Sequence, residues 1–410
     1  MNPLTIIGGG WAGLAAAVRA TQAGFTVRLL EAAPQLGGRA RRVMHDGLAL
    51  DNGQHILIGA YRDTLALLKT VGVETDASLY RLPLQLQDIR GQGLSLPTLP
   101  APLNLLVGVA MARGWSWADK LSLMRQATQW QARGFACEAH MTVAELCQSL
   151  TPKVMHQLID PLCISALNLD ATQASGQVFL TVLKDALWSG QGSSDMLLPK
   201  VDLGCLMPDA AHAWLTARGG VVQTLQRVED LGAWLDHPVL LACPPWEAAK
   251  LTRTLAPAWS ALAAGLSHTA IATVYVRTPQ RPTWPQPMVA LASNPDAPAQ
   301  FAFDKGRLSN DPAWHGVLAL VVSASNAERD TLTRQVMRQL GDHLDIHDAN
   351  LITTIVEKRA TFACTPALTR PPMQIGPGIW ACGDYIAGPY PATLEAAVRS
   401  GFAVVEAMKQ

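Results

Sequence analysis

The sequence predicts an α/β chain with a Rossmann-like parallel sheet and a mixed α+β second domain. Three observations carry that expectation. A strand–glycine loop–helix–strand unit ending on an acid opens the chain, a strand–Gly-Asp–loop–helix unit closes it, and 410 residues suffice for two cores.

In the opening unit, Leu4-Thr5-Ile6-Ile7 reads as a buried parallel strand. It runs into Gly8-Gly9-Gly10-Trp11-Ala12-Gly13, a G-x-G-x-x-G match, then an Ala-rich helix from Leu14 to Ala23 stopped by Gly24. A second strand, Thr26 to Leu30, ends on Glu31, completing a Rossmann-like βαβ unit. Gly8 permits the tight turn, Gly10 lets the backbone approach a pyrophosphate, and Gly13 allows close helix–strand packing. The free N–H groups of the Gly10-Trp11-Ala12-Gly13 turn and the positive helix end suit phosphates. Glu31 can accept from both ribose hydroxyls, and its charge disfavours a 2′-phosphate.

Composition narrows the function. Thirty-two basic and 32 acidic residues cancel, so no global field favours nucleic acid. Charged residues are only 16 % and hydrophobic ones 49 %, which suits a large apolar cavity, a membrane-touching patch or an Ala- and Leu-rich bias equally. Seven scattered cysteines (137, 147, 163, 205, 243, 364 and 382) include no C-x-x-C pair and read as buried thiols of a reducing compartment, with no metal site. The start lacks the basic flank of a secretion signal, and the longest apolar run, Leu103 to Met111, is too short to span a bilayer. The expectation is a cytoplasmic protein. Between Leu94 and Trp117, the Pro- and Leu-rich stretch with Trp115 and Trp117 suits either peripheral contact with the inner membrane face or a buried helix hairpin.

Beyond Glu31, Leu36-Gly37-Gly38-Arg39-Ala40-Arg41 carries a second glycine pair. Near the end, Gly378-Ile379-Trp380-Ala381-Cys382-Gly383-Asp384 reads as a strand closing on Gly-Asp, and Pro391-Ala392-Thr393-Leu394 opens a helix. Taken together these motifs resemble the amine oxidase and phytoene desaturase superfamily of flavoproteins. The resemblance implies FAD as cofactor and an amine oxidase-like architecture. It places Gly38 and Arg39 at the flavin's phosphate and ribityl side, Gly383 and Asp384 at the ribityl hydroxyls, and Thr393 and Leu394 at the ring's N1–C2=O end, where a helix N-terminus stabilises negative charge. Val228 would meet the adenine, and Val239-Leu240-Leu241-Ala242 would re-enter the flavin domain; the loop between Val228 and Val239 is shorter than the family's. The implied division is 1–70, 200–250 and 352–410 for a discontinuous FAD-binding domain, and 71–199 and 251–351 for the substrate domain. No second dinucleotide unit occurs mid-chain, so electrons are expected to pass through substrate, oxygen, a quinone or a protein partner.

A narrower likeness starts at Asp51-Asn52-Gly53-Gln54-His55 and continues through Pro161-Leu162-Cys163-Ile164-Ser165-Ala166-Leu167-Asn168, Leu198-Pro199-Lys200-Val201-Asp202-Leu203 and Arg359-Ala360-Thr361-Phe362. These blocks resemble the hydroxysqualene dehydroxylases of squalene and hopanoid synthesis. The likeness implies reductive removal of hydroxyl from a hydrophobic C30 isoprenoid, giving squalene and water, with an unidentified electron donor. It sets Gly53 and Gln54 against the cofactor. His55 is the first candidate proton donor, with a loop-orienting role as its competitor; Tyr385 is the second, and Asp51 reads as a loop-fixing carboxylate. A desaturase, an amine oxidase or a non-enzymatic prenyl-lipid carrier would share parts of this pattern. Elsewhere, Thr142-Val143-Ala144-Glu145 reads as a capping box, Thr151-Pro152 as a helix start, and Asn326 as the cap of a helix facing inward through Leu332, Val336 and Leu340. Ile271 to Val276 and Val317 to Val322 read as strands.

Overall fold

A computed structural model describes residues 2–409. The opening unit forms as β1 (Asn2–Ile7), α1 (Trp11–Gln22) and β2 (Phe25–Leu30), with β1 and β2 parallel from Asn2↔Phe25 to Ile7↔Leu30. The sheet order is 221–223, β2, β1, 239–241, 379–381, 374–376. The first five strands are parallel, and the last folds back antiparallel. Val239–Leu241 therefore sits between β1 and Ile379–Ala381, and a mid-chain strand joins the two ends of the polypeptide.

Small residues make this layer tight. The core face of α1 is an alanine run, Ala15 to Ala17, fully buried against the C-terminal helix Leu394–Met408. A Cβ on Gly401 would lie 2.5 Å from the Ala12 carbonyl oxygen, so only glycine lets the two helices approach this closely.

The second domain centres on a five-stranded antiparallel sheet, ordered 288–290, 301–304, 317–325, 268–277, 350–362. Helix Arg329–Leu344 covers it through Leu332, Val336 and Leu340. That helix starts later than Asn326 implied, with Glu328 at its N-cap. The preceding strand runs through Ser325, so Asn326 is still leaving the sheet and cannot cap. The capping box at Thr142 and Glu145 forms with both halves in place, and Thr151 precedes a helix that begins at Pro152.

A two-helix cap, Leu103–Met111 and Trp117–Ala132, packs through its first helix on the strand Gly93–Ser95. Its neighbours Leu105 and Leu106 face opposite ways, 6 % and 40 % exposed, and Trp115 is buried while Trp117 is exposed. No helix among the described residues is long and apolar enough to cross a membrane. All seven cysteines are free, but only Cys147, Cys163, Cys364 and Cys382 are buried; Cys137 and Cys243 are half-buried, and Cys205 is exposed on the outer side of the short helix Leu203–Leu206 beside Arg42.

Candidate functional site

The glycine loop between β1 and α1 is shaped by steric necessity. Gly8 has φ +116°, and a Cβ there would meet the backbone of Ala242 and Cys243 at 2.7–2.8 Å. At Gly13 a Cβ would lie 2.0 Å from the Gly8 carbonyl oxygen. Gly10 is the N-cap of α1 and supplies no side chain, and the first turn holds no acid, so the N–H groups that a helix start leaves without intrahelical partners stay available to an anion. The Glu31 carboxylate accepts from Gly9 N and Ala33 N at 2.7 Å each. Each oxygen keeps a lone pair for a further donor.

The second glycine pair lies directly against the first loop. Gly37 N donates to Gly9 O at 2.8 Å, and Gly38, at φ +60°, would bring a Cβ within 3.1 Å of Gly10 Cα. Arg39, which follows, reaches the chain's other end. Its Nη2 pairs with Asp384 Oδ1 at 2.6 Å and its Nη1 donates to Ala360 O at 2.7 Å. Burial works against the guanidinium charge, but the Asp384 carboxylate outweighs it and the pKa is raised. Asn52 Nδ2 then donates to Arg39 O and to Glu357 Oε2, both at 3.0 Å. The motifs read separately from the sequence thus meet around one ion pair.

Past Asn52 the loop carries Gly53, Gln54 and His55. The His55 Nδ1 lies 2.7 Å from Gly53 O; a carbonyl only accepts, so Nδ1 carries the hydrogen. Burial lowers the imidazole's pKa, with Arg39 and Lys305 acting the same way and the Gly53 carbonyl and Asp51 opposing. Near neutral pH the ring is neutral and Nε2 presents a lone pair. Tyr385 packs its ring against Gly383 and is buried; burial raises its phenol well above the ordinary tyrosine range. Thr393 caps the C-terminal helix, its hydroxyl accepting from Ala396 N at 3.1 Å, and Leu394 opens the first turn. Val228 is half-buried just beyond Gln226, whose N–H donates to Glu31 O at 2.9 Å, so this segment runs beside the acid.

Three buried side-chain atoms at this site have no hydrogen-bond partner among the described residues: Gln54 Oε1, Thr273 Oγ1 and the Tyr385 hydroxyl. Thr273 faces Gly53, where a Cβ would lie 3.8 Å from its Oγ1. An unpaired buried polar atom costs about 1–3 kcal/mol, so three of them beside a side-chain-free glycine cradle fit residues made to hold a polar, phosphate-bearing group. FAD fits. Thr273 was not anticipated, since one threonine in an apolar strand carries no signal.

Lys305 was missed as well. Its Nζ lies 3.2 Å from Asp51 Oδ2 and 4.2 Å above the Trp314 ring, and both charged side chains are fully buried. Asp51 Oδ1 accepts from Leu203 N at 2.8 Å, which ties the Asn52–His55 loop to the Leu198–Leu203 block. The only sequence signal is a lysine placed right after Asp304, the last residue of the otherwise apolar strand Phe301–Asp304. Asn168, the last residue of the Pro-Leu-Cys block, takes a left-handed conformation and donates to Thr269 and Thr361 Oγ1 at 2.9 Å each, locking its helix to the antiparallel sheet.

Under the two-helix cap lies an apolar cavity of about 30 Å³, walled by Leu94, Leu105, Leu123, Trp130, Leu158 and Trp188 among others. The Trp130 and Trp188 indole N–H groups have no acceptor among the described residues.

The model of the flavin containing amine oxidoreductase family matches residues 11–180 and 212–409. A hydroxysqualene dehydroxylase of Rhodopseudomonas palustris is 28 % identical over 97 % of this chain and 96 % of its own length. A second, from Zymomonas mobilis, is 24 % identical over 98 % and 97 %. Among solved structures, an oxidoreductase from Methanosarcina mazei superposes with a TM-score of 0.74 at 15 % identity, covering all of both chains. Putrescine oxidase gives 0.67 at 18 % over 100 % and 99 %, and these likenesses fix the fold.

Proposed function

Since this chain belongs to the flavin-containing amine oxidoreductase family and is an FAD-dependent oxidoreductase, we propose that it removes the hydroxyl group of hydroxysqualene reductively, yielding squalene and water. The observation that carries this reading is the convergence of the dehydroxylase-like blocks on one place: Asn52 on the Arg39 backbone carbonyl, Ala360 on the Arg39 guanidinium, and Leu203 on Asp51.

The first turn of α1 would hold the pyrophosphate, Glu31 the ribose, and Gly38, Arg39 and Asp384 the ribityl side, with Leu394 N–H at the ring end. When bound and reduced, FAD supplies the hydride that replaces the departing hydroxyl. The protein's own task is to hold an oily substrate away from water and to place a proton at the leaving oxygen. A cavity walled by hydrocarbon alone suits the long apolar body of such a molecule. Ligand cavities measure about 300–1,000 Å³, so this one has to widen to admit it.

Of the two candidate donors, Tyr385 keeps its proton at neutral pH and has no acceptor for it among the described residues. His55 must first be protonated, so a His55-dependent rate rises as pH falls toward its lowered pKa. Replacing His55 with Gln would flatten that rise, whereas Tyr385→Phe would lower turnover at every pH. The deciding experiment is anaerobic incubation of the flavin-loaded protein, chemically reduced, with hydroxysqualene. Squalene formed only with protein supports the reaction; polyenes formed only under oxidising conditions make it a desaturase; neither product refutes both.

A further inference from the structure

We infer that the outer face of the two-helix cap docks on an anionic lipid bilayer. On helix Leu103–Met111 the inward set is Asn104, Leu105, Gly108 and Val109, while Leu103, Leu106, Ala110 and Met111 face out. The next helix continues the same surface, with Trp117 and Leu121 one turn apart at its start. Met111, Trp117 and Leu121 are 71 %, 75 % and 65 % exposed, and such large side chains grouped together are not what an inert surface shows. The two helices meet where Lys120 Nζ donates to Ala110 O at 2.6 Å and lies 5.3 Å over the Trp117 ring, so the outward residues form one patch.

Charge selects the occupant. The whole chain is neutral, yet residues 99–133 hold four cations, Arg113, Lys120, Arg125 and Arg133, against one carboxylate, Asp119. That carboxylate is buried, accepting from Ser116 and Thr151, and offers nothing outward. A short apolar ridge with a tryptophan at its edge and cations at its rim has the makeup of an interfacial, in-plane membrane contact. With no helix among the described residues able to span, the inferred contact is peripheral. The opposite face of the same helices walls the apolar cavity through Leu105, Leu123 and Trp130, so the cap separates bilayer from cavity by one helix thickness. Passage of substrate across it rests on the hydrocarbon reading above; docking does not.

The test uses the full, flavin-loaded protein without substrate, floated with vesicles of phosphatidylcholine alone or mixed with phosphatidylglycerol. Wild type should float with the mixed vesicles and far less with phosphatidylcholine alone, and high salt should weaken binding. A Met111→Ser/Trp117→Ser variant should bind at least about tenfold more weakly, since two large apolar side chains no longer enter the interface. Arg113→Gln/Arg125→Gln should weaken binding to the mixed vesicles by about tenfold and leave the weak binding to phosphatidylcholine unchanged. Both pairs are surface positions, and unchanged visible absorbance of the bound flavin reports intact folding. Amide exchange should slow on the mixed vesicles at Leu103–Met111 and Trp117–Leu121. Equal flotation of wild type and the Met111/Trp117 variant overturns the inference. So does a flavin-loaded wild type that stays off the vesicles, including one that buries the patch by pairing with a second copy.

Discussion

The glycine cradle and the two-helix cap are built by opposite means. In the cradle, backbone atoms approach within limits that one methyl group would break, and Arg39–Asp384 ties residues 345 positions apart. In the cap, side chains of ordinary helices decide everything, and neighbours such as Leu105 and Leu106 serve different faces. A surface made of backbone tolerates no substitution; a surface made of side chains tolerates many and changes its role with each.

The largest effect that comparison predicts is Gly13→Val. Its Cβ would collide with the Gly8 carbonyl oxygen, so the purified protein should be colourless and fail to take up added FAD. A variant that stays yellow would break the argument. Next is Lys305→Met, which strands the buried Asp51 carboxylate at a cost of about 3–5 kcal/mol, measured as a fall in the urea midpoint. Adding Asp51→Asn should recover most of that loss, since the pair rather than either charge is what the interior accepts. Within the cap, Leu105→Ala should cost about 2–5 kcal/mol. A pH effect comes next. Burial lowers the pKa of both His55 and His268 in the folded state, so the unfolded chain binds more protons below the ordinary histidine range. Their contribution is present above about pH 6.5 and is lost as pH falls through the lowered values. His55→Gln should reduce that acid sensitivity in thermal melts without abolishing it, because His268 remains. Smallest of all, Leu106→Ser should stay within about 0.5 kcal/mol of wild type.

The same contrast explains what could be read in advance. Gly8, Gly10, Gly13, Glu31, Gly38, Arg39 and Asp384 stand in patterns because backbone approach dictates residue type at fixed spacing. The strands Val239–Leu241 and Ile379–Ala381 were legible through their apolar runs and the turns that follow. Thr273 and Lys305 were not, since each acts through a neighbour distant in sequence, Gly53 for one and Asp51 for the other. Asn326 misled because a good capping residue is only a cap where the preceding strand has already ended. The stretch from Leu103 to Trp117 admitted both a buried hairpin and an exposed ridge, and the folded chain makes it both at once: periodicity assigns faces to a helix, but only packing decides which face is covered.

The strand Ile379–Ala381 and the Gly401 contact with Ala12 have a consequence for synthesis in the cell. A ribosome that has made the first 350 residues has released a cradle still lacking its far wall, with the alanine face of α1 uncovered. Pigment capture therefore depends on the segment from Ile379 to Met408, and a polypeptide that has not yet reached it leaves that apolar face open to misassociation.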